Sequence, residues 1–120
     1  MPPAIVSFKH SITPEESAPA ADRLISGKPK QTIANYFADP TSQFFAGRWS
    51  STRGKWRVRY TESELCHITA GRVRIEASGG GVTETFGPGD TFVVPAGFEG
   101  TWEVLEDCSK VYAMFEPAQR

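Results

Sequence analysis

The chain has 120 residues, with 13 lysines and arginines against 14 aspartates and glutamates and a net charge of −1 at pH 7. A chain of this length predicts one domain with a single core. Without a basic stripe, neither nucleic acid nor an anionic membrane surface is expected as a partner. No apolar run approaches the ~18–20 residues of a membrane-spanning helix, and the first residues lack the pattern of a secretory signal.

The two cysteines, Cys66 and Cys108, bear on the compartment in which the protein resides. Two cysteines are too few for a disulfide framework, and a domain of this length does not need one for stability, so both are expected to be reduced and mostly buried. This predicts a cytoplasmic protein. A disulfide between them or a catalytic thiol is the alternative.

Residues 1–30 are predicted to form an N-terminal arm ahead of a domain that spans residues 31–117. Prolines are scattered through the arm, at Pro2, Pro3, Pro14, Pro19 and Pro29. Residues 20–25 are compatible with one or two helical turns that end before Gly27. The arm carries apolar side chains that need burial, so we expect it to wrap the domain or to reach a neighbouring subunit.

From residue 31 onwards the pattern predicts about nine short strands separated by turns. The predicted strands are 32–37, 44–49, 56–60, 64–69, 72–77, 82–86, 92–94, 101–105 and 111–115, with turns at 70–71 and 106–109. Many short strands indicate an all-β sandwich or closed barrel. Because no interior cysteine pair suggests a disulfide-bonded immunoglobulin domain, we predict a double-sheet jelly roll.

Two spacings carry a family resemblance. Gly89, five residues, Pro95, one residue and Gly97 match the second sequence motif of the cupins, and Glu64, six residues and Gly71 match half of the first motif. The chain thus resembles a small single-domain cupin, with an RmlC-like jelly-roll barrel, or double-stranded β-helix, behind its N-terminal arm. The residues around these motifs are similar to those of one branch of the cupins, which includes ureidoglycine aminohydrolase and the ethanolamine-utilisation cupin.

The metal ligands of typical cupins are missing. The resemblance implies three histidines and one glutamate inside the barrel. Counted back from Glu64, the histidine pair falls at Val58 and Tyr60, or at the two neighbouring arginines if the gap is one residue longer, and the third histidine falls at Gly100. None of these residues is a ligand of the expected kind.

A count of histidines supports the same conclusion without any alignment. The chain contains only His10 and His67, so one subunit cannot assemble a three-histidine site. His67 also lies three residues from Glu64 on one strand, and side chains of a strand alternate between faces. We therefore expect no metal cofactor. A site built from Glu64, Cys66 and a carboxylate such as Glu103 is the alternative.

Four residues are the candidates for ligand binding: Glu64, Tyr60, Arg59 and Trp102. Glu64 and Tyr60 are also the candidate catalytic acid–base pair, because a carboxylate inside a barrel needs a partner or a raised pKa; the alternative is that Tyr60 only satisfies a buried Glu64. Trp102 walls the pocket or packs in the core.

The face of strand 56–60 decides the role of its arginines. If Val58 and Tyr60 face the interior, then Arg57 and Arg59 are solvated or lie at a subunit contact. In the longer register both arginines point inward and form a fork for a carboxylate or phosphate. Lys110 and Tyr112 are expected at the rim of the barrel at most.

The predicted function is a metal-free cupin that binds a small polar molecule in its barrel. One alternative is an enzyme that resembles ureidoglycine aminohydrolase and acts on a small nitrogenous acid through Glu64 and Tyr60. Another is a non-catalytic accessory protein of a catabolic pathway. A homodimer is expected, because unpaired apolar strand edges favour association.

Overall fold

The computed structural model describes residues 3–118, and the first two residues of the predicted arm lie outside this range. The fold is all-β, as predicted. Its strands are β1 (Glu15–Ser17), β2 (Leu24–Gly27), β3 (Gln31–Ala38), β4 (Phe44–Ser51), β5 (Gly54–Arg59), β6 (Ser63–Ala77), β7 (Thr83–Phe86), β8 (Thr91–Val94) and β9 (Glu99–Phe115). Among residues 3–118, no helix is long and apolar enough to cross a membrane.

Two long antiparallel strands, β6 and β9, form the centre of the sheet and pair along nearly their whole length. On the far side of β9, strand β4 pairs with its second half and β5 with its first half. On the far side of β6, β8 and β7 pair with its two halves. The sheet therefore curls around one interior, which is the jelly-roll arrangement that the sequence predicts.

The predicted turns at 70–71 and 106–109 are wrong, since the chain runs through both places as bent strand. The register between β6 and β9 shifts around Gly71, whose φ is +80°. A Cβ at Gly71 would lie 2.2 Å from the carbonyl oxygen of Asp107, so the two bends touch backbone to backbone. Glycine thus permits a close approach rather than a chain reversal here.

Alternation along the strands assigns the interior of the barrel. On β9 Trp102, Val104, Cys108, Lys110 and Tyr112 are buried, whereas Glu106 at the bend is exposed, and on β6 Glu64, Cys66 and Ile68 are buried. On β5, Trp56 is buried and Val58 half-buried, whereas Arg57 and Arg59 are exposed. The shorter of the two registers left open by the sequence, with Val58 and Tyr60 inside, is the one adopted.

The predicted arm is part of the sheet. Strand β1 pairs with β3, and β2 pairs with β5, so the segment extends the sheet at two places. Of the one or two helical turns predicted for residues 20–25, the structure has a single turn, in which the N–H groups of Arg23 and Leu24 donate to the carbonyl of Ala20 at 2.9 and 3.1 Å; it leads directly into β2. The residues that follow this turn form a strand rather than a second helical turn, because they pair with the edge of β5.

Candidate functional site: a tryptophan-lined cavity with a buried ion pair

A cavity of about 400 Å³ opens at one end of the barrel. Its lining includes all three tryptophans of the chain, which come from β4, β5 and β9. The residues that line it are Pro19, Arg23, Gln31, Trp49, Trp56, Arg57, Val58, Arg59, Tyr60, Glu62, Glu64, Trp102, Lys110 and Met114. The cavity therefore combines an apolar aromatic wall with six charged residues.

The polar groups of the interior converge on Glu64. The hydroxyl of Tyr60 donates to Glu64 Oε1 at 3.0 Å, and the ammonium of Lys110 lies 3.0 Å from Glu64 Oε2. Lys110 Nζ also donates to the sulfur of Cys66 at 3.7 Å. Both charged side chains are nearly inaccessible, at 6% exposure for Lys110 and 7% for Glu64. The carboxylate is thus held between a hydroxyl and an ammonium.

Burial and the ion pair set the protonation states in the cavity. Burial alone would lower the pKa of Lys110, but the charge of Glu64 and a contribution from Cys66 raise it above its ordinary value. Burial, followed by the charge of Glu64, raises the pKa of Tyr60 well above its ordinary value. Burial raises the pKa of the Cys66 thiol to about 12. At neutral pH all three groups therefore keep their protons.

The ammonium of Lys110 is also held by aromatic faces. Its Nζ lies 4.7 Å from the ring centroid of Trp49 and 4.4 Å from that of Trp102. Cation–π contacts at these distances stabilise a desolvated cation. The indole N–H of Trp102 is buried and has no hydrogen-bond partner among residues 3–118.

Three of the four predicted ligand-binding residues, Glu64, Tyr60 and Trp102, come together in this cavity. Glu64 and Tyr60 meet through a hydrogen bond, and Trp102 forms part of the wall. Arg59 lies on the opposite face of β5, where its Nε is 3.4 Å from Glu99 Oε1 in an exposed ion pair. It contributes to the cavity at its open side only.

The residues at the expected metal-ligand positions do not fit a cupin metal. Val58 and Tyr60 stand at the positions of the histidine pair, and a Cβ at Gly100 would lie 2.0 Å from the carbonyl oxygen of Glu76. A histidine at position 100 would therefore require the backbone to move. Within residues 3–118, no group of three or more histidine, cysteine and acidic side chains could hold a metal ion.

The alternative ligand set is also divided between two faces. Glu64 and Cys66 share the interior, but both are engaged by the ammonium of Lys110. Glu103 lies on the outer face of β9, where its carboxylate is 3.3 Å from Arg74. His67 is exposed and its Nδ1 lies 2.8 Å from the hydroxyl of Thr91, as the alternation argument predicts.

The sequence interpretation missed Lys110, which it placed at the rim. Because a turn was predicted at 106–109, the alternation of buried and exposed side chains was not followed from Trp102 into the last predicted strand. Without that turn, positions Trp102, Val104, Cys108 and Lys110 follow one face of a single strand, and the lysine is assigned to the interior. Continuous alternation across a bent strand was the signal that could have revealed it. Tyr112, also predicted at the rim, is buried and donates to Asn35 Oδ1 at 2.6 Å.

A double-mutant cycle tests whether the cavity depends on the ion pair. Lys110→Met is expected to lower the free energy of unfolding by about 3–5 kcal/mol, because it leaves a carboxylate buried without its counter-charge. Glu64→Gln is destabilising for the converse reason. The double variant is expected to show a coupling energy of about 2–3 kcal/mol, measured by urea unfolding.

The matched control for this cycle is the outer pair Arg74–Glu103, whose side chains are 46% and 29% exposed. Because water screens an exposed pair, Arg74→Gln with Glu103→Gln should couple by less than about 1 kcal/mol. Equal coupling energies in the two cycles would contradict a special role for the buried pair.

The comparisons with known proteins agree with this architecture. A family model described as the EutQ-like cupin domain matches residues 38–112. A protein of unknown function of the DUF861 family from Pseudomonas syringae pv. tomato is 28% identical with a TM-score of 0.78, over 91% of this chain and 46% of that protein. A comparison with curated proteins finds no match.

Two proteins named EutQ share the fold. The EutQ protein of Clostridium difficile is 16% identical with a TM-score of 0.65, over 83% of this chain and 74% of that one. A putative ethanolamine utilization protein Q from Salmonella typhimurium is 12% identical with a TM-score of 0.65, over 91% of this chain and 100% of that one.

These matches differ in what they cover. The chain spans less than half, 46%, of the Pseudomonas protein, and the two EutQ proteins are similar in fold alone. The family model, in contrast, covers residues 38–112, which is more than half of the chain and includes both cupin motifs. The chain therefore belongs to the EutQ-like cupin family.

Proposed function

We propose that this protein is a metal-free cupin that binds a small polar molecule in its barrel. The observation that carries the proposal is the Lys110 ammonium, held 3.0 Å from Glu64 in a cavity of about 400 Å³ lined by three tryptophans. Sites for small molecules are typically roughly 300–1,000 Å³ in volume, apolar in their walls, and equipped with a few fixed polar groups. This cavity has a volume in that range, an aromatic part of its wall and fixed polar groups at Glu64, Tyr60 and Lys110.

The role of Lys110 supports the metal-free part of the proposal. A cation inside a cupin barrel neutralises the motif glutamate, and here the ammonium of Lys110 supplies that positive charge from the chain itself. It does so at 3.0 Å from the carboxylate, so a second cation at Glu64 would meet direct repulsion.

Metal loading tests this part. Tag-free protein is incubated with Zn²⁺, Mn²⁺ or Ni²⁺, desalted and analysed for elements, and far less than one metal ion per chain is expected. Lys110→Ala serves as the comparison, because it removes the ammonium while leaving Glu64 and Cys66 in place. Near one metal ion per wild-type chain would overturn the metal-free assignment.

Binding in the cavity has a direct spectroscopic readout. The indole N–H resonances of Trp49, Trp56 and Trp102 all report on the cavity wall, since these are the only tryptophans of the chain. A screen of small polar fragments by ¹H–¹⁵N correlation spectra is expected to shift these resonances. A library that leaves all three unmoved would contradict binding and favour the accessory-protein alternative.

Acid–base catalysis is the second candidate function, and the 3.0 Å hydrogen bond between Tyr60 and Glu64 favours it. The raised pKa of Tyr60, caused by burial and the charge of Glu64, suits a hydrogen-bond donor better than a base at neutral pH. Both oxygens of Glu64 are also already engaged. The geometry therefore supports binding more strongly than catalysis, and loss of turnover of a bound fragment in Glu64→Ala would reverse this order.

We further propose that the protein forms a homodimer. Four apolar side chains of the outer sheet surface, here called the outer apolar face, are 42–59% exposed: Phe44, Leu65, Val93 and Phe115. Leu65 stands opposite Val93, and Phe44 opposite Phe115, so the face runs without interruption over β8, β6, β9 and β4. A continuous apolar face of this kind is typical of interaction surfaces, and a two-fold axis lets it pair with its own copy.

Sedimentation velocity at micromolar concentration is expected to give twice the monomer mass. Leu65→Glu places a charge at the centre of the outer apolar face and should shift the protein to monomer. Val82→Glu is the matched control, because Val82 is 74% exposed in the hairpin outside this face. A wild-type protein that sediments only as a monomer contradicts the dimer.

A further inference from the structure

We propose that the ligand of the cavity is a small anion with a flat apolar body, whose carboxylate or phosphate is held by three arginines: Arg23, Arg57 and Arg59. This inference rests on the proposed function, since it specifies the chemical class of molecule that the cavity binds. It gives the N-terminal arm a part in recognition, because Arg23 belongs to that arm.

The charge of the cavity wall points to an anion. Among the lining residues, Arg23, Arg57, Arg59 and Lys110 are cationic and Glu62 and Glu64 are acidic, so four positive charges minus two negative charges leave a formal charge of +2. The whole chain carries −1. A cleft with an excess of one sign attracts ligands of the other.

The excess charge lies at the open side rather than at the floor. Lys110 and Glu64 neutralise each other at 3.0 Å inside the barrel. The three arginines are exposed and outnumber the two acidic groups near them, Glu62 in the lining and Glu99, which is paired with Arg59. An anionic group that enters the cavity therefore meets the arginines first.

The strand pairing explains why these arginines reach the cavity. Strand β2 pairs with β5 from Gly54 to Trp56, and the contact between the two segments continues one residue further through a backbone hydrogen bond. At this point the backbone N–H of Arg57 donates to the carbonyl of Arg23 at 2.9 Å, which fixes the two residues side by side. Arg59 is on the same face of β5 as Arg57.

The three guanidinium groups keep donors free for a ligand. Arg59 is paired with Glu99 through its Nε at 3.4 Å, which leaves the two terminal nitrogens of the guanidinium. The same three arginines line an adjoining depression of about 270 Å³, together with Ser78 and Thr101. Arginine presents a planar fork that matches the oxygens of carboxylate and phosphate.

The three tryptophans of the cavity indicate the chemical character of the ligand's uncharged part. The ring centroids of Trp49 and Trp102 are 5.7 Å apart with their planes at 73°, and those of Trp49 and Trp56 are 6.2 Å apart with their planes at 54°, so the three indoles pack together as one aromatic cluster. An aromatic body, which is flat and apolar, can pack against such a cluster through its face or its edge. A cationic ligand would instead meet the three exposed arginines and is disfavoured by repulsion.

The test compares two probes of nearly equal shape, benzoate and benzamide, by quenching of tryptophan fluorescence. Every tryptophan of the chain lines the cavity, so quenching reports its occupancy. Benzoate is expected to bind at least about tenfold more tightly than benzamide, because charge-assisted hydrogen bonds to the arginines are available only to the anion. Phenyl phosphate, run alongside, distinguishes carboxylate from phosphate as the preferred group.

Variants identify the residues responsible. Arg57→Gln with Arg59→Gln, and separately Arg23→Gln, should weaken benzoate binding towards the affinity of benzamide without changing benzamide. Arg72→Gln is the matched control, since Arg72 is an exposed arginine outside the cavity lining. It should leave both affinities unchanged.

The outcomes separate this inference from the proposed function. Equal binding of benzoate and benzamide, or benzoate binding that survives all the cavity-arginine variants, overturns the anionic ligand while leaving the cavity as a binding site. If neither benzoate, phenyl phosphate nor benzamide quenches the tryptophans, both the inference and binding in the cavity are overturned.

Discussion

The ion pair between Lys110 and Glu64 is the interaction on which the interior of this barrel depends. Each charge is nearly inaccessible to water, at 6% and 7% exposure, and neither would be tolerated there alone. Tyr60, Cys66 and the faces of Trp49 and Trp102 surround the pair and use its remaining hydrogen-bonding and electrostatic capacity. The end of the barrel that holds the cavity is therefore organised around one covalently attached cation.

A cation of this kind suits recognition better than Lewis-acid chemistry. An ammonium on a strand has one position and donates hydrogen bonds, whereas a metal ion accepts new ligands as a reaction proceeds. The raised pKa of Lys110, set by Glu64 against the cost of burial, keeps it charged at neutral pH. The interior of the barrel thus has a fixed electrostatic pattern, with neutralised charges at the floor and arginines at the open side.

The N-terminal arm and the sheet edge show how the opening of the cavity is formed. Strand β2 pairs with β5 as far as Trp56, and Arg23 adds one backbone hydrogen bond to Arg57. The arm supplies Pro19 and Arg23 to the lining at this place. It therefore has two roles, since it satisfies backbone hydrogen bonds of β5 and completes one wall of the candidate site.

The sequence by itself determined the fold class, the family and most of the interior of the site. Turn residues around Gly89 and Gly97 identified the cupin motif, the resemblance implied that Glu64 lies in the interior, and alternation of side chains then placed His67 at the surface. Only the tertiary structure placed Lys110 beside Glu64 and brought Arg23 to the opening. Both placements depend on contacts between residues that are distant in sequence. Strand β9 continues through its bend at residues 106–109 because that bend packs against the bend of β6 at Gly71. The N-terminal arm reaches the cavity because its strand β2 pairs with the edge strand β5. Local sequence patterns do not predict such pairings, because the pairings form only when the sheet closes.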